Sequence, residues 1–209
     1  MRVAREGLPF ILGAVVLAVL WGLLGLGALA VLFFLFAGAF AFFFRDPERV
    51  PPPGEGLVVS PADGEVLGVD DAPGPPDLEG PAKRITVFLS LLDVHFVRAP
   101  LAGTVARSDY QAGKFLPAYR PEAGRRNESR TLVFKAGPAD LVLKMIVGVA
   151  ARRIKAFVKA GDAVERGEKV GLMYFGSRVE LTLPARVAVK VGLRDKVKAG
   201  RTVIGEVRP

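Results

Sequence analysis

A glycine followed by a serine, Gly176-Ser177, lies in the run Met173-Tyr174-Phe175-Gly176-Ser177-Arg178-Val179-Glu180-Leu181-Thr182-Leu183-Pro184, between two stretches of strand character. By pattern alone this is a hairpin loop. Its chemical reading is unusual. Glycine leaves the carbonyl sterically open and the backbone free to bend, so the following hydroxyl can attack its own preceding peptide bond. Such an attack needs a base. The chain holds one histidine, His95, in Leu91-Leu92-Asp93-Val94-His95-Phe96-Val97-Arg98-Ala99-Pro100. Its titration near neutrality makes it the best candidate for reversible proton transfer, although a lone imidazole is also compatible with a structural role. Asp63, in the turn Ser60-Pro61-Ala62-Asp63-Gly64, has the chemistry to orient and charge-stabilise an imidazole, as in a triad. Asp-Gly is equally ordinary turn vocabulary.

The composition narrows what else these residues can be doing. The 209-residue chain has no cysteine, which removes disulfides, thiolate metal sites and cysteine nucleophiles together. With a single histidine, a multi-histidine metal site is not expected either. The formal charge of +8 is unevenly spread, because Leu8 to Phe44 are 37 positions without a charge and hold 8 of the 14 Phe. That block is too long for a secretory h-region and no small-residue cleavage motif ends it. As one straight helix it would run roughly 55 Å, nearly twice the ~30 Å of a bilayer's hydrocarbon core. Gly22, Gly25 and Gly27 lie at its middle, so the expected form is a membrane anchor over 1–44 made of two short helices, about 9–24 and 28–44. Arg2 and Arg5 precede it and Arg45 and Arg49 follow it, which places both ends in the cytoplasm by the positive-inside tendency. The competing form is one tilted span followed by a translocated domain.

Residues 45–56, with Arg45-Asp46-Pro47-Glu48-Arg49 and Pro51-Pro52-Pro53-Gly54, read as a short stiff linker that keeps the following domain near the bilayer. Residues 57–209 read as mainly β. Short runs of strand character, among them Leu57 to Val59, Arg84 to Leu91, Leu141 to Val149, Lys169 to Tyr174 and Arg178 to Leu183, alternate with Gly/Pro turn clusters,. A barrel-sandwich-like all-β domain is the expected class, with one short helix near Lys114 to Ala118. The turn Val158-Lys159-Ala160-Gly161-Asp162-Ala163-Val164-Glu165-Arg166-Gly167 belongs to the vocabulary of lipoyl- and biotinyl-type modules, and equally to β-turns in general.

Taken in order along the chain, Phe44-Arg45-Asp46-Pro47, Ser60-Pro61-Ala62-Asp63-Gly64, Asp93 to Pro100, Asn127-Glu128, Gly148-x-Ala150-Ala151-Arg152-Arg153-Ile154 and Phe175-Gly176-Ser177-Arg178-Val179 resemble the short, membrane-anchored branch of the phosphatidylserine decarboxylases. The resemblance runs from about Phe42 to Pro184. It implies a pyruvoyl-dependent carboxy-lyase made as a proenzyme, with neither a metal nor pyridoxal phosphate. Ser177 would attack the Gly176 carbonyl, an N-to-O acyl shift would give an ester, and β-elimination and hydrolysis would leave a pyruvoyl group at position 177. The products would be a large chain, 1–176, and a small chain, 177–209, held as a heterodimer that could assemble further. The resemblance also implies that Asp63 orients His95, that His95 serves first as base for Ser177 and then as proton donor, and that phosphatidylserine becomes phosphatidylethanolamine through a Schiff base to the pyruvoyl carbonyl.

The longer bacterial members carry His-x-x-His where this chain has His95 and Arg98. Arg98 is a candidate for the substrate carboxylate or phosphate through its planar fork, and for a structural salt bridge. Asn127 and Glu128 match the family pattern and are candidate headgroup contacts, with Ser129 replacing the basic residue that usually follows. Lys114 to Arg130 carries five basic residues with Phe115, Leu116 and Tyr119, a composition suited to an anionic leaflet or to a solvated loop. Arg152 and Arg153 read as surface and framework charges. An ether-linked archaetidylserine substrate would require the same chemistry. A membrane-tethered adaptor of barrel-sandwich type leaves Gly176-Ser177 unexplained. Nucleic-acid binding is not expected, because the basic surplus has no aromatic-interleaved stripe and sits beside a bilayer anchor.

Overall fold

The apolar block folds as two helices because nothing in it interrupts a helix until its central glycines. In the computed structural model, which describes residues 2–78, 80–137, 139–149, 153–175 and 177–207, strand β1 (Arg2–Val3) and a 3-10 turn lead into α1 (Leu8–Leu23), with a proline in its first turn. Gly25, at φ +77°, reverses the chain into α2 (Gly27–Phe43). The antiparallel pair β1–β2 (β2, Arg45–Asp46) closes the open end of this hairpin. Ala14 and Ala18 of α1 and Ala37 of α2 are buried, and small residues allow such close helix approach. Around them, Leu23, Phe34 and Leu35 point outward. Arg5–Leu23 is long and apolar enough to cross a membrane, and Gly27–Phe43 is apolar over 17 residues. The chain divides into two compact units, Met1–Glu48 and Arg49–Pro209.

The second unit is built from strands, and its period-2 patterning is clearest in the strand that begins at the serine. Its strands are β3 (Leu57–Val59), β4 (Gly64–Ala72), β5 (Ala82–Leu89), β6 (Phe96–Arg98), β7 (Gly103–Gln111), β8 (Ser129–Lys135), β9 (Leu141–Val147), β10 (Ile154–Ala156), β11 (Ala163–Val164), β12 (Lys169–Met173), β13 (Ser177–Pro184), β14 (Val187–Val189), β15 (Lys196–Val197) and β16 (Val203–Val207). An eight-stranded sheet runs β11-β7-β8-β9-β13-β5-β4-β15, with two three-stranded sheets, β10-β12-β6 and β14-β16-β3. Along β13, Val179, Leu181 and Leu183 are fully buried in a core shared with Ile85, Leu143 and Phe134 of the large sheet and with Val97, Met173 and Ile204 of the small ones. The large sheet thus curls around one apolar interior and the small sheets close it, which is the expected mainly β, barrel-sandwich-like class.

Two local expectations need correction. The short helix lies at α3 (Ala123–Arg126) and not at Lys114 to Ala118. Lys114 instead bridges Asn127, and Leu116 precedes Pro117, which disfavours the helical region for it. Strand β6 was not anticipated. Three residues are too few to show alternation, and β6 is defined by its antiparallel partner β12.

Gly64 opens β4 at φ +146°, and a Cβ there would lie 2.0 Å from the Phe88 carbonyl oxygen. Gly64→Ala is therefore expected to lower the stability of the unit by about 3 kcal/mol or more, through a backbone clash that no side-chain rotation relieves. A urea midpoint unchanged from the parent protein would contradict this.

Candidate active site

Ser177 is the first residue of β13, the strand held on both sides in the large sheet. It lies opposite Leu89 of β5 and Val147 of β9. It shares strand parity with Val179 and Leu181, so its side chain faces the core. The residue is fully buried and its hydroxyl has no hydrogen-bond partner among the described residues. Buried hydroxyls are normally paired, and leaving one unpaired costs about 1–3 kcal/mol. Two residues upstream, Phe175 sits at φ +50°, a left-handed conformation that is uncommon for a bulky side chain and a source of local strain. Gly176 lies outside the described residues.

His95 comes to the same end of the sheet. It immediately precedes β6, and its carbonyl accepts the Met173 N–H at 3.1 Å, so the imidazole strand runs beside the strand that leads into the Gly176-Ser177 junction. The ring is buried, with Nδ1 3.0 Å from the Asp93 carbonyl oxygen. A carbonyl only accepts, so Nδ1 carries the hydrogen and, in the neutral ring, the lone pair is on Nε2. The turn beneath it is closed by the Asp93 carboxylate, which accepts from the Ser90 N–H at 2.8 Å and the Ser90 hydroxyl at 2.6 Å.

Asp63 is placed differently from the expected direct pairing with His95. One carboxylate oxygen accepts from the Arg49 guanidinium at 2.8 Å and the other from the Ala199 N–H at 2.7 Å. The Arg49–Asp63 ion pair is itself largely buried. The turn that carries Asp63 does reach the histidine strand, because Pro61 accepts the Arg98 N–H at 2.8 Å. Arg98 is three residues beyond His95, roughly 10 Å along an extended strand. Its guanidinium is buried and donates to the Gly167 carbonyl at 2.8 Å, tying the 165–168 turn to β6.

Asn127 serves the backbone next to Ser177. Its amide donates to the Leu116 carbonyl at 2.7 Å and the Val147 carbonyl at 2.8 Å, and accepts the Leu116 N–H at 2.9 Å. Val147 is the cross-strand neighbour of Ser177. Asn127→Ala would orphan three backbone groups and is expected to cost about 3 kcal/mol, measurable by chemical denaturation. A loss below a few tenths would show that these bonds are replaced by water. Glu128 is partly buried and hydrogen-bonds the Tyr110 hydroxyl, whose ionisation is pushed up by local desolvation and then by the Glu128 charge.

The segment 112–128 is further fastened over the outer face of the sheet. Lys144 donates to the Gly124 carbonyl at 2.8 Å, and Arg178 donates to the Arg120 carbonyl at 3.2 Å while pairing with Glu180. Burial holds the Lys144 ammonium below the usual lysine range, with Glu180 opposing and Arg178 and Arg84 reinforcing the shift. Sequence reasoning missed Arg49, Ser90 and the supporting role of Asp93. Asp93 stands two residues before the only histidine, a spacing that could have flagged it. Arg49 carries no such signal.

A family model described as phosphatidylserine decarboxylase matches residues 36–205. Among similar proteins, one of Paramagnetospirillum magneticum is 42% identical over 212 residues, covering 97% of this chain and 86% of its own. One of Carboxydothermus hydrogenoformans is 42% identical over 207 residues, covering 98% and 96%. One of Symbiobacterium thermophilum is 41% identical over 211 residues, covering 98% and 95%. All three bear the name phosphatidylserine decarboxylase proenzyme.

Proposed function

Because the chain belongs to the phosphatidylserine decarboxylase family, we propose that it is a proenzyme that cuts itself between Gly176 and Ser177 and then removes CO2 from the headgroup of phosphatidylserine. The observation that carries this reading is the buried Ser177 hydroxyl, without a hydrogen-bond partner among the described residues, at the start of a clamped strand, just beyond the strained Phe175.

In the cleavage, Ser177 Oγ bonds to the Gly176 carbonyl carbon as the peptide C–N bond breaks. His95 takes the hydroxyl proton and returns it to the freed amine, giving an ester. Loss of the residue 177 Cα proton then expels the Gly176 carboxylate and leaves a dehydroalanine. Water converts this to an N-terminal pyruvoyl group with release of ammonia. Once formed, that group supplies a ketone able to take up the electrons left when CO2 departs from an α-amino acid, a task that otherwise calls on pyridoxal phosphate. The position fits such a group, since residue 177 is fully buried and its Cα, which becomes the ketone carbon, is kept from bulk water.

The residues around it have separable tasks. His95, with Nδ1 committed to the Asp93 carbonyl, presents its remaining ring nitrogen for proton transfer in both stages. Asp63 is a positioning residue: its grip on Arg49 and Ala199 steadies the turn on which β6 rests. Arg98 and Asn127 hold turns through backbone carbonyls and support the site in this way. Glu128 is the candidate for a direct headgroup contact.

The small chain would not leave after cleavage. Its strands β13, β15 and β16 pair with β9 and β5, with β4 and with β3 of the large chain, so a heterodimer persists without a covalent link. The α1–α2 hairpin anchors it to the cell membrane, with Arg2, Arg5, Arg45 and Arg49 keeping the catalytic unit on the cytoplasmic side.

The test is intact-mass measurement on purified protein. Two fragments that co-migrate until denatured are expected, the smaller one reactive toward carbonyl reagents and resistant to stepwise N-terminal degradation. A single unreactive 22.3 kDa chain from protein that had been given time to mature would overturn the reading.

A further inference from the structure

We propose that the loops leaving the sheet at the Ser177 end form a second membrane contact, in addition to the apolar hairpin, which seats this end of the unit on an anionic leaflet. This rests on the lipid decarboxylase reading for its purpose, and on the following geometry for its place.

Among the described residues of the second unit, nine large apolar side chains are exposed, and five of them, Leu91, Leu92, Phe115, Tyr119 and Val149, lie on three loops. The other four are Val50, Tyr110, Phe157 and Leu193. The three loops leave the large sheet at one end. The first follows Leu89 and the third follows Val147, the two residues opposite Ser177. The second joins Gln111 to Ser129, which pair with one another and, through Ile146, lie beside Arg178. Scattered exposed leucines are ordinary, but several on loops that leave one end of a sheet make a surface suited to contact.

The geometry of the first loop makes this sharper. Asp93 closes the turn onto Ser90, which thrusts Leu91 and Leu92 outward, at 54% and 72% exposure. The same turn offers the carbonyl that holds His95. Two apolar residues are thus displayed from the element that positions the imidazole.

Charge selects the occupant. Lys114, Arg120, Arg125 and Arg126 are exposed on the second loop, against Glu122 and the partly buried, Tyr110-bonded Glu128. Apolar tips set among cations match an anionic lipid surface. The chain also enters the unit at this end: Arg49 is fixed to Asp63, and the adjoining Gly64 backs onto Phe88, one residue from Leu89.

The native chain has no cysteine, so single labels can be placed cleanly. Full-length Leu92→Cys and, at the opposite end of the sheet, Ala185→Cys would each carry a nitrobenzoxadiazole probe and be inserted one chain per nanodisc. Discs would contain phosphatidylcholine, alone or with phosphatidylglycerol. The probe at Leu92 is expected to shift to the blue and to be quenched by spin-labelled acyl chains several-fold more in the anionic discs, and the probe at Ala185 to do neither. A Leu92 probe as wet as the Ala185 probe overturns the proposal. So does a shift that ignores lipid charge and needs two chains per disc, which would mean that a second copy covers the patch. In the Leu91→Glu/Leu92→Glu double variant, decarboxylation of bilayer phosphatidylserine should fall about tenfold further than that of a short-chain, monomeric phosphatidylserine, the second rate registering any disturbance of the His95 turn; an equal fall on both would sink the docking role. If the parent protein acts on neither substrate, the decarboxylase reading fails, and the fluorescence still decides the docking.

Discussion

Ser177→Ala is expected to leave one uncut chain of 22.3 kDa, with no carbonyl-reactive end and no decarboxylase activity, in a protein no less stable than its parent. The two halves of that expectation come from the same observation. The hydroxyl is buried without a hydrogen-bond partner among the described residues, so removing it forfeits no bond to them and relieves an unpaired polar group that costs about 1–3 kcal/mol. Alanine keeps the Cβ and preserves the pairing of position 177 with Leu89 and Val147. Loss of cleavage then cannot be blamed on unfolding. Mass spectrometry and thermal unfolding on one sample decide the matter: two fragments from the variant would mean that the scissile bond lies elsewhere, and a collapsed melting temperature would mean that the hydroxyl is structural.

The second large effect is that of His95→Asn on the rate of self-cleavage. Asparagine can still donate to the Asp93 carbonyl that holds Nδ1 in the parent, but it has no nitrogen able to take a proton. Removal of a positioned general base slows a reaction by roughly 10²- to 10⁴-fold, so precursor should persist for hours to days when the parent is already cut. Freshly made chain followed by gel and intact mass gives the rate directly. A structural histidine would behave otherwise: cleavage would continue near the parent rate, or the fold would fail along with it. Protein matured before the substitution acts is not obtainable, so the later role of His95 is read from fragments that form slowly in the variant. Those fragments should be carbonyl-reactive yet poor at turnover.

Much of the fold is legible because strands advertise themselves locally. In Ser177–Pro184 the buried Val179, Leu181 and Leu183 alternate with Arg178, Glu180 and Thr182, and any such run reads as a strand with one face inward. The apolar helix pair is legible for a similar reason, since the 37 uncharged positions break only at central glycines. Strand β6 was invisible because three residues show no period. The short helix was misplaced because its position depends on Lys144 and Arg178 reaching across to Gly124 and Arg120, contacts that no window of local sequence contains.

The candidate site divides along the same line. Gly176, Ser177 and His95 could be nominated from residue chemistry alone, for one hydroxyl follows a glycine in the right setting and one imidazole exists. What Asp63 touches could not. Its partners, Arg49 and Ala199, lie 14 and 136 residues away along the chain, and triad logic supplied His95 in their place.

By itself, then, the sequence determined the long apolar segment, the β class and the candidate residues for chemistry, because composition, short-range periodicity and side-chain reactivity are properties of single residues and near neighbours. Only the tertiary structure decided that Ser177 starts a strand clamped on both flanks, that its hydroxyl has no hydrogen-bond partner among the described residues, and that the histidine and the exposed apolar loop residues lie toward one end of the sheet. Those facts follow from strand order and register, which are set by long-range pairing around a common core and have no local signature.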